Sequence, residues 1–140
     1  MLWSRWAAGP EARHSGEVFV SVTQFQVIRF IDMPRIIYSG WALKRRWGEL
    51  PGAVGTWLWV DLPRKRVGSV SIWLAEPDMR NFVRWEPHVE IVRRNRQAGQ
   101  ILSTSWTAAA RNDSTLRAAA IDWLSYIKLT VATGEKHAHN

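Results

Sequence analysis

The chain predicts an α+β fold built on a βαββαβ unit between residues 17 and 108. Three observations predict it. Segments rich in β-branched and aromatic residues alternate with segments whose apolar residues recur at helical spacing, in the order strand, helix, strand, strand, helix, strand. Leu50-Pro51-Gly52-Ala53-Val54-Gly55 punctuates the passage from the first helix to the second strand. Pro63-Arg64-Lys65-Arg66 joins two strands directly, as the turn of a hairpin. This order is the split βαβ, or ferredoxin-like, arrangement. A small sheet of this kind has two faces to cover, so a partner chain or a ligand is expected to finish the core.

Each element has its own signal. Val18–Val27 alternates β-branched, aromatic and polar residues as a strand does. Asp32 is placed to cap the first helix, with Pro34 in its first turn. Ile36, Gly40, Leu43, Trp47 and Leu50 then form one apolar stripe, which Pro51-Gly52 ends. Ala53–Asp61 is the second strand, with Trp57 and Trp59 on one face and Leu58 and Val60 on the other. Val67–Leu74 is the third, with Ser69, Ser71 and Trp73 sharing a face. The second helix opens at Ala75-Glu76-Pro77-Asp78, with acids at its positive end. It buries Met79, Phe82 and Val83, and breaks at Pro87 to restart with Val89, Ile91 and Val92. Ile101–Ala108 is the fourth strand.

The remaining segments lie outside that unit. Residues 1–16 carry Gly, Pro, Ser and charges without periodicity and are expected to be a flexible N-terminal arm. Residues 109–133 are a helical extension, with N-cap candidates in Arg111–Ser114 and the apolar stripe Leu116, Ala120, Trp123, Leu124, Ile127 and Val131. Gly134 is expected to stop that helix and leave 134–140 as a disordered tail.

Composition narrows the function classes. The 140 residues contain no Cys, which excludes a disulfide framework, a thiol nucleophile and a thiolate metal site. The lack of Cys suits a cytoplasmic location. No apolar run approaches the roughly 20 residues of a membrane span, so no membrane partner is expected. Nineteen basic against 12 acidic residues leave a net charge of +7. The basic residues cluster at Lys44-Arg45-Arg46, Arg64-Lys65-Arg66 and Arg93-Arg94 with Arg96. They favour an anionic or carrier-linked substrate. They fall on separate elements, and no helix-turn-helix, zinc finger or aromatic RNA-binding signature accompanies them, so nucleic acid is not the expected partner. Ten tryptophans supply core area and suit flat, unsaturated ligands by stacking.

The residues able to carry chemistry are few. His88 is the one histidine inside the predicted fold, and it shares a helix face with Ile91 and Val92. An imidazole there serves as a proton shuttle near neutral pH, or as a haem ligand, or is a half-buried structural side chain. Ser21 with Thr23, Ser69 with Ser71, and Ser103 with Ser105 are hydroxyl pairs at strand spacing. With Trp57, Trp59 and Trp73 they would make a floor of hydrogen-bonding groups between aromatic walls. Tyr38 and Trp41, three apart on the first helix, are placed to cover that pocket or to meet a partner subunit, and Tyr38 has a donor suited to a carbonyl or phenolate oxygen. Phe82 and Trp85, beside the helical break, complete the candidate binding set. Glu86-Pro87-His88 lacks further ligands, so no metal is expected. No nucleophile elbow or phosphate loop is present.

Leu50-Pro51-Gly52-Ala53-Val54-Gly55, then Val70-Ser71-Ile72-Trp73, then Met79, Phe82 and His88 resemble the dimeric α+β barrel superfamily, particularly its antibiotic-biosynthesis-monooxygenase-like group. The resemblance covers residues 17–108. It implies a homodimer in which two sheets pack face to face, with a pocket in each subunit between sheet and helices. It further implies cofactor-independent oxygenation, cyclisation or isomerisation of an apolar aromatic or polyene substrate in secondary metabolism, and it adds weight to His88; His88 and, from its own place on the first helix, Tyr38 are the candidate catalytic residues. Haem binding or degradation, and non-catalytic ligand binding, are the alternatives within the same resemblance.

Overall fold

A computed structural model describes the backbone of residues 1–138 and the side chains as far as Ile127. A six-stranded antiparallel sheet forms its centre. Its strands are β1 (Leu2–Trp3), β2 (Ala7–Ala8), β3 (Val18–Val27), β4 (Ala53–Asp61), β5 (Arg66–Trp73) and β6 (Gly99–Ala108). Four helices complete it: α1 (Met33–Arg45), α2 (Glu76–Arg84), α3 (Glu86–Asn95) and α4 (Asp113–Ala138). The long strands lie in the order β4-β5-β3-β6, so β3-α1-β4 crosses over β5, and β5-α2-α3-β6 crosses over β3. This is the ferredoxin-like topology the sequence predicts.

The first sixteen residues are not the structureless arm expected of them. β1 and β2 both pair antiparallel with β4. Period-2 patterning could not announce strands only two residues long. What holds them is β4 itself: Ser4 Oγ accepts from Leu58 N at 2.9 Å, and the Trp6 ring fills the space that a side chain at Gly55 would occupy.

Asp32 also departs from expectation. It sits at the start of α1 in a helical rather than extended conformation, and its side chain makes no cap hydrogen bond. Its carboxylate instead pairs with Arg29 at 3.4 Å and Arg35 at 3.3 Å. The α1 stripe is shorter than predicted, with Trp47 on a separate 3-10 turn, Trp47–Glu49. The break at Pro87 is present: α2 ends at Arg84, Trp85 is extended, and Pro87 lies in the first turn of α3. Asn112 caps α4, its Oδ1 accepting from Thr115 N at 3.1 Å. Gly134 does not end α4, which runs to Ala138, because a single glycine weakens a helix without blocking it. Residues 139 and 140 of the expected tail lie outside the described residues.

Two layers cover the two faces of the sheet. Against one face pack α1, α2 and α3. Against the other, Val18, Val20, Val22, Val70 and Ile72 bury themselves with Leu116, Ala120 and Leu124 of α4, and Trp3, Trp6, Trp106 and Trp123 pack around them. The C-terminal extension therefore occupies the sheet face that pairing into a barrel would use. A buried polar cluster ties it down. Arg66 donates to Asp61 Oδ2 at 3.1 Å, to Gln24 Oε1 at 2.7 Å and to the Leu124 carbonyl at 3.1 Å.

Candidate functional site

A cavity of about 210 Å³ lies between the sheet and helices α1, α2 and α3. Its floor follows from register. Antiparallel partners share a face, and β5 pairs Ser71 with Ser21, Ser69 with Thr23, and Val67 with Phe25. On the other side β5 pairs Ser71 with Thr56 and Ser69 with Leu58. Ser21, Thr23, Thr56, Ser69 and Ser71 therefore present their side chains to the helices, and all five line the cavity. The hydroxyls of Ser21, Thr23 and Ser69 have no protein partner among the described residues. Ser71 is engaged, since its Oγ accepts from Trp73 Nε1 at 2.9 Å.

The wall is aromatic. Trp47, Trp73 and Phe82 meet in a triangle, with ring centroids 5.3, 4.9 and 5.4 Å apart and all three pairs tilted. Met79 packs against them. Ile36, Leu43, Ile91 and Val92 extend the apolar lining along the helices. Trp41 and Lys44 line the α1 side, Trp41 half exposed and Lys44 without an ion pair among the described residues.

His88 stands at this wall. Its ring lies 4.5 Å from Phe82, and its Nδ1 is 3.1 Å from the Val83 carbonyl oxygen. A carbonyl can only accept, so Nδ1 carries the proton and Nε2 the lone pair. Burial pushes the imidazole below its ordinary pKa, and the Val83 hydrogen bond opposes that only in part. Burial thus favours the neutral imidazole of His88, with its tautomer set by the Val83 carbonyl. Among the described residues no three His, Asp or Glu side chains gather as a metal site.

The predicted site residues divide accordingly. His88, Trp41, Ser69, Ser71, Trp73 and Phe82 come together around the cavity. Trp57 does not: it pairs with Val70, faces α4, and meets the Trp6 ring in a tilted contact at 4.5 Å. Trp59 touches the cavity, but its side chain belongs to the opposite layer, where Arg66 lies over its ring at 5.6 Å. The expected grouping of these two with Ser69, Ser71 and Trp73 fails because Trp59 pairs with Gly68, one residue out of phase with the serines. Ser103 and Ser105 share the cavity face through their pairing with Thr23 and Ser21, but stand exposed on β6 beyond its rim. Trp85 lies behind Phe82, with Arg46 stacked on it at 4.6 Å. Tyr38 is exposed and does not line the cavity.

Sequence reasoning missed Lys44, Thr56 and Asn95. Thr56 was legible, because it alternates with Trp57 and so points with Leu58. Asn95 is buried, accepting from Arg35 Nε at 3.1 Å and donating to the Ile91 carbonyl at 2.9 Å. No spacing in the sequence announces that bridge between α1 and α3.

No known sequence family matches this chain, and no curated protein matches it. Solved structures do. One is a Deinococcus radiodurans protein provisionally assigned as an antibiotic biosynthesis monooxygenase, 8% identical, covering 68% of this chain and 96% of its own, with a TM-score of 0.60. SnoaB, a cofactor-independent oxygenase from Streptomyces nogalater, is 14% identical over 69% of this chain and 97% of its own, with a TM-score of 0.53. A dimeric ferredoxin-like protein of unknown function from Jannaschia is 13% identical over 64% of this chain and 97% of its own, with a TM-score of 0.56. At such identities the likeness is one of fold. The shared fold is ferredoxin-like.

Proposed function

We propose that the chain is a small-molecule enzyme whose cavity holds a flat, apolar, aromatic or polyene-type substrate and acts on it without an organic cofactor. One observation carries this reading: His88 lines an apolar, aromatic cavity, with its ring against Phe82 and its Nδ1 3.1 Å from the Val83 carbonyl oxygen. Trp73, Phe82 and Trp41 hold the substrate by stacking and area. The free hydroxyls of Ser21, Thr23 and Ser69 orient its oxygens, and Lys44 attracts an anionic group at the α1 side. His88 Nε2 removes a proton from an acidic C–H or O–H of the substrate and returns it to the product. For isomerisation and cyclisation that transfer is sufficient; for oxygenation the deprotonated substrate in addition reduces dioxygen, one oxygen atom entering the product and the other leaving as water. SnoaB, similar in fold, supports the oxygenase version.

The test is tryptophan quenching by a panel of polycyclic phenols, quinones and polyenes, followed by turnover and oxygen uptake on the binders. Quenching by one class, with turnover lost in His88→Gln, is the expected result. Full turnover in that variant overturns the role of His88. A Soret band on haem titration, lost in the same variant, would replace this reading with haem chemistry.

The chain is further proposed to form a homodimer; the Jannaschia protein of similar fold is dimeric. With α4 on the second sheet face, the edge of β6 is the available seam. Among the described residues β6 pairs with β3 alone, and Gly99–Ala108 carries no charge and no proline to protect a ten-residue edge. Sedimentation equilibrium of the wild type and Thr104→Lys checks it; a wild-type monomer refutes it.

A further inference from the structure

We propose that one end of the sheet docks on an anionic lipid surface. Three loops meet at that end: β3–α1, the β4–β5 turn and α3–β6. Ile28 N donates to the Ala98 carbonyl at 2.9 Å, Lys65 Nζ donates to the Ile28 carbonyl at 2.9 Å, and Gln26 Nε2 donates to the Arg64 carbonyl at 2.8 Å. They present Ile28, Phe30, Ile31 and Leu62 outward, with 61%, 57%, 75% and 47% of their surfaces exposed. Both faces of the sheet are already covered by the chain's own helices, so these side chains have no internal partner to find. Large apolar residues exposed together, rather than singly, mark an interaction surface.

Cations surround them. Arg29, Arg35, Arg64 and Lys65 ring the patch, and Arg96 lies in the adjoining turn. The carboxylates present, Asp32 and Asp61, are buried at its base and already paired, Asp32 with Arg29 and Arg35, Asp61 with Arg64 and Arg66. Lys65 holds a left-handed backbone conformation, φ 55°, unusual for a side chain of its kind. That conformation accompanies an ammonium group set 5.4 Å above the Phe30 ring, between the apolar tip and its basic rim.

The occupant follows from shape and charge. The apolar side chains sit exposed on loop segments, next to basic residues of the same loops. A second copy would bring the same cations face to face in a chain of net charge +7. An anionic bilayer accepts projecting apolar side chains among its acyl chains and holds the basic rim at its headgroups. This docking is peripheral, and no described helix is long and apolar enough to cross a membrane.

The experiment is cosedimentation of the full chain with phosphatidylcholine vesicles, with and without phosphatidylglycerol. Binding to the phosphatidylglycerol vesicles is expected, weakened at least tenfold by Phe30→Ser with Ile31→Ser and by Arg64→Glu with Lys65→Glu. No binding, or binding unchanged in the first double variant, overturns the proposal. Retention by an acidic protein column without vesicle binding overturns it too, in favour of a protein partner. The chain has no Cys, so Ile31→Cys and Ala118→Cys each carry a single environment-sensitive dye without disturbing the patch charges. The dye at 31 should shift to the blue on anionic vesicles and the dye at 118 on α4 should not. Equal shifts at both positions refute docking by this end.

Discussion

Phe82 and His88 lie six residues apart, yet their ring centroids come within 4.5 Å. On one continuous helix such residues would diverge around the axis. They meet because the chain leaves helical geometry at Trp85 and restarts with Pro87 in the first turn of α3. The same break leaves the Val83 carbonyl within reach of His88 Nδ1. The proline thus turns the imidazole toward the aromatic wall.

Proton transfer through His88 should appear in the pH profile. Burial lowers its pKa from the ordinary 6.5. The basic form is the neutral one, so kcat/KM should rise with pH through a midpoint below 6.5 and then level off. His88→Gln should lower kcat by about 10²–10⁴-fold and remove that limb. Pro87→Ala, which relaxes the break, should raise KM and blunt the limb without abolishing it. Steady-state rates across pH 5–8 check all three.

Gly68 should resist any side chain. A Cβ there would press on the Thr23 carbonyl oxygen and come within 2.6 and 2.8 Å of the Trp59 ring. Gly68→Ala should cost about 1–3 kcal/mol through overpacking. Gly48→Ala, where a Cβ meets nothing within 4 Å, should be neutral or slightly stabilising. Urea unfolding followed by tryptophan emission separates the two.

The Asp61–Arg66 pair should be costly to break. Both side chains are about 95% buried, and Arg66 also holds Gln24 and the Leu124 carbonyl. Arg66→Met should destabilise by about 3–5 kcal/mol, since it leaves Asp61 in the core with only the more exposed Arg64. Burial pushes the Asp61 carboxyl up, but hydrogen bonding and charge from Arg66, with Arg64, hold it below its ordinary 3.8. A depressed native pKa contributes stability above the unfolded value that is lost as pH falls through the native one. Wild-type stability should therefore drop below about pH 4, and Asp61→Asn should flatten that drop; urea midpoints from pH 2 to 6 measure it.

Leu124 should anchor α4. It is fully buried among the valines of the second sheet face. Leu124→Ala should cost about 2–5 kcal/mol. Leu124→Asp should release the helix, expose that face, and cause concentration-dependent association visible by light scattering.

The order of the long strands and helices was legible in the sequence, because period-2 and period-3.6 patterning are local properties of the chain. The break at Pro87 was legible for the same reason: proline acts on its own turn. His88, Phe82, Trp73 and the inner serines were legible because each could be assigned to a face from its neighbours. Tertiary structure decided the rest. Which face of β4 joins which face of β5 depends on register, set by the turn between Asp61 and Arg66, and that put the side chains of Trp57 and Trp59 in the layer opposite the cavity's hydroxyls. Whether two alanines count as a strand depended on β4 lying beside them. Whether the second sheet face awaits another chain depended on where α4 packs, and Leu116, Ala120 and Leu124 put it there. Patterning records what each residue prefers; only the fold brings distant residues close enough for one preference to prevail over another.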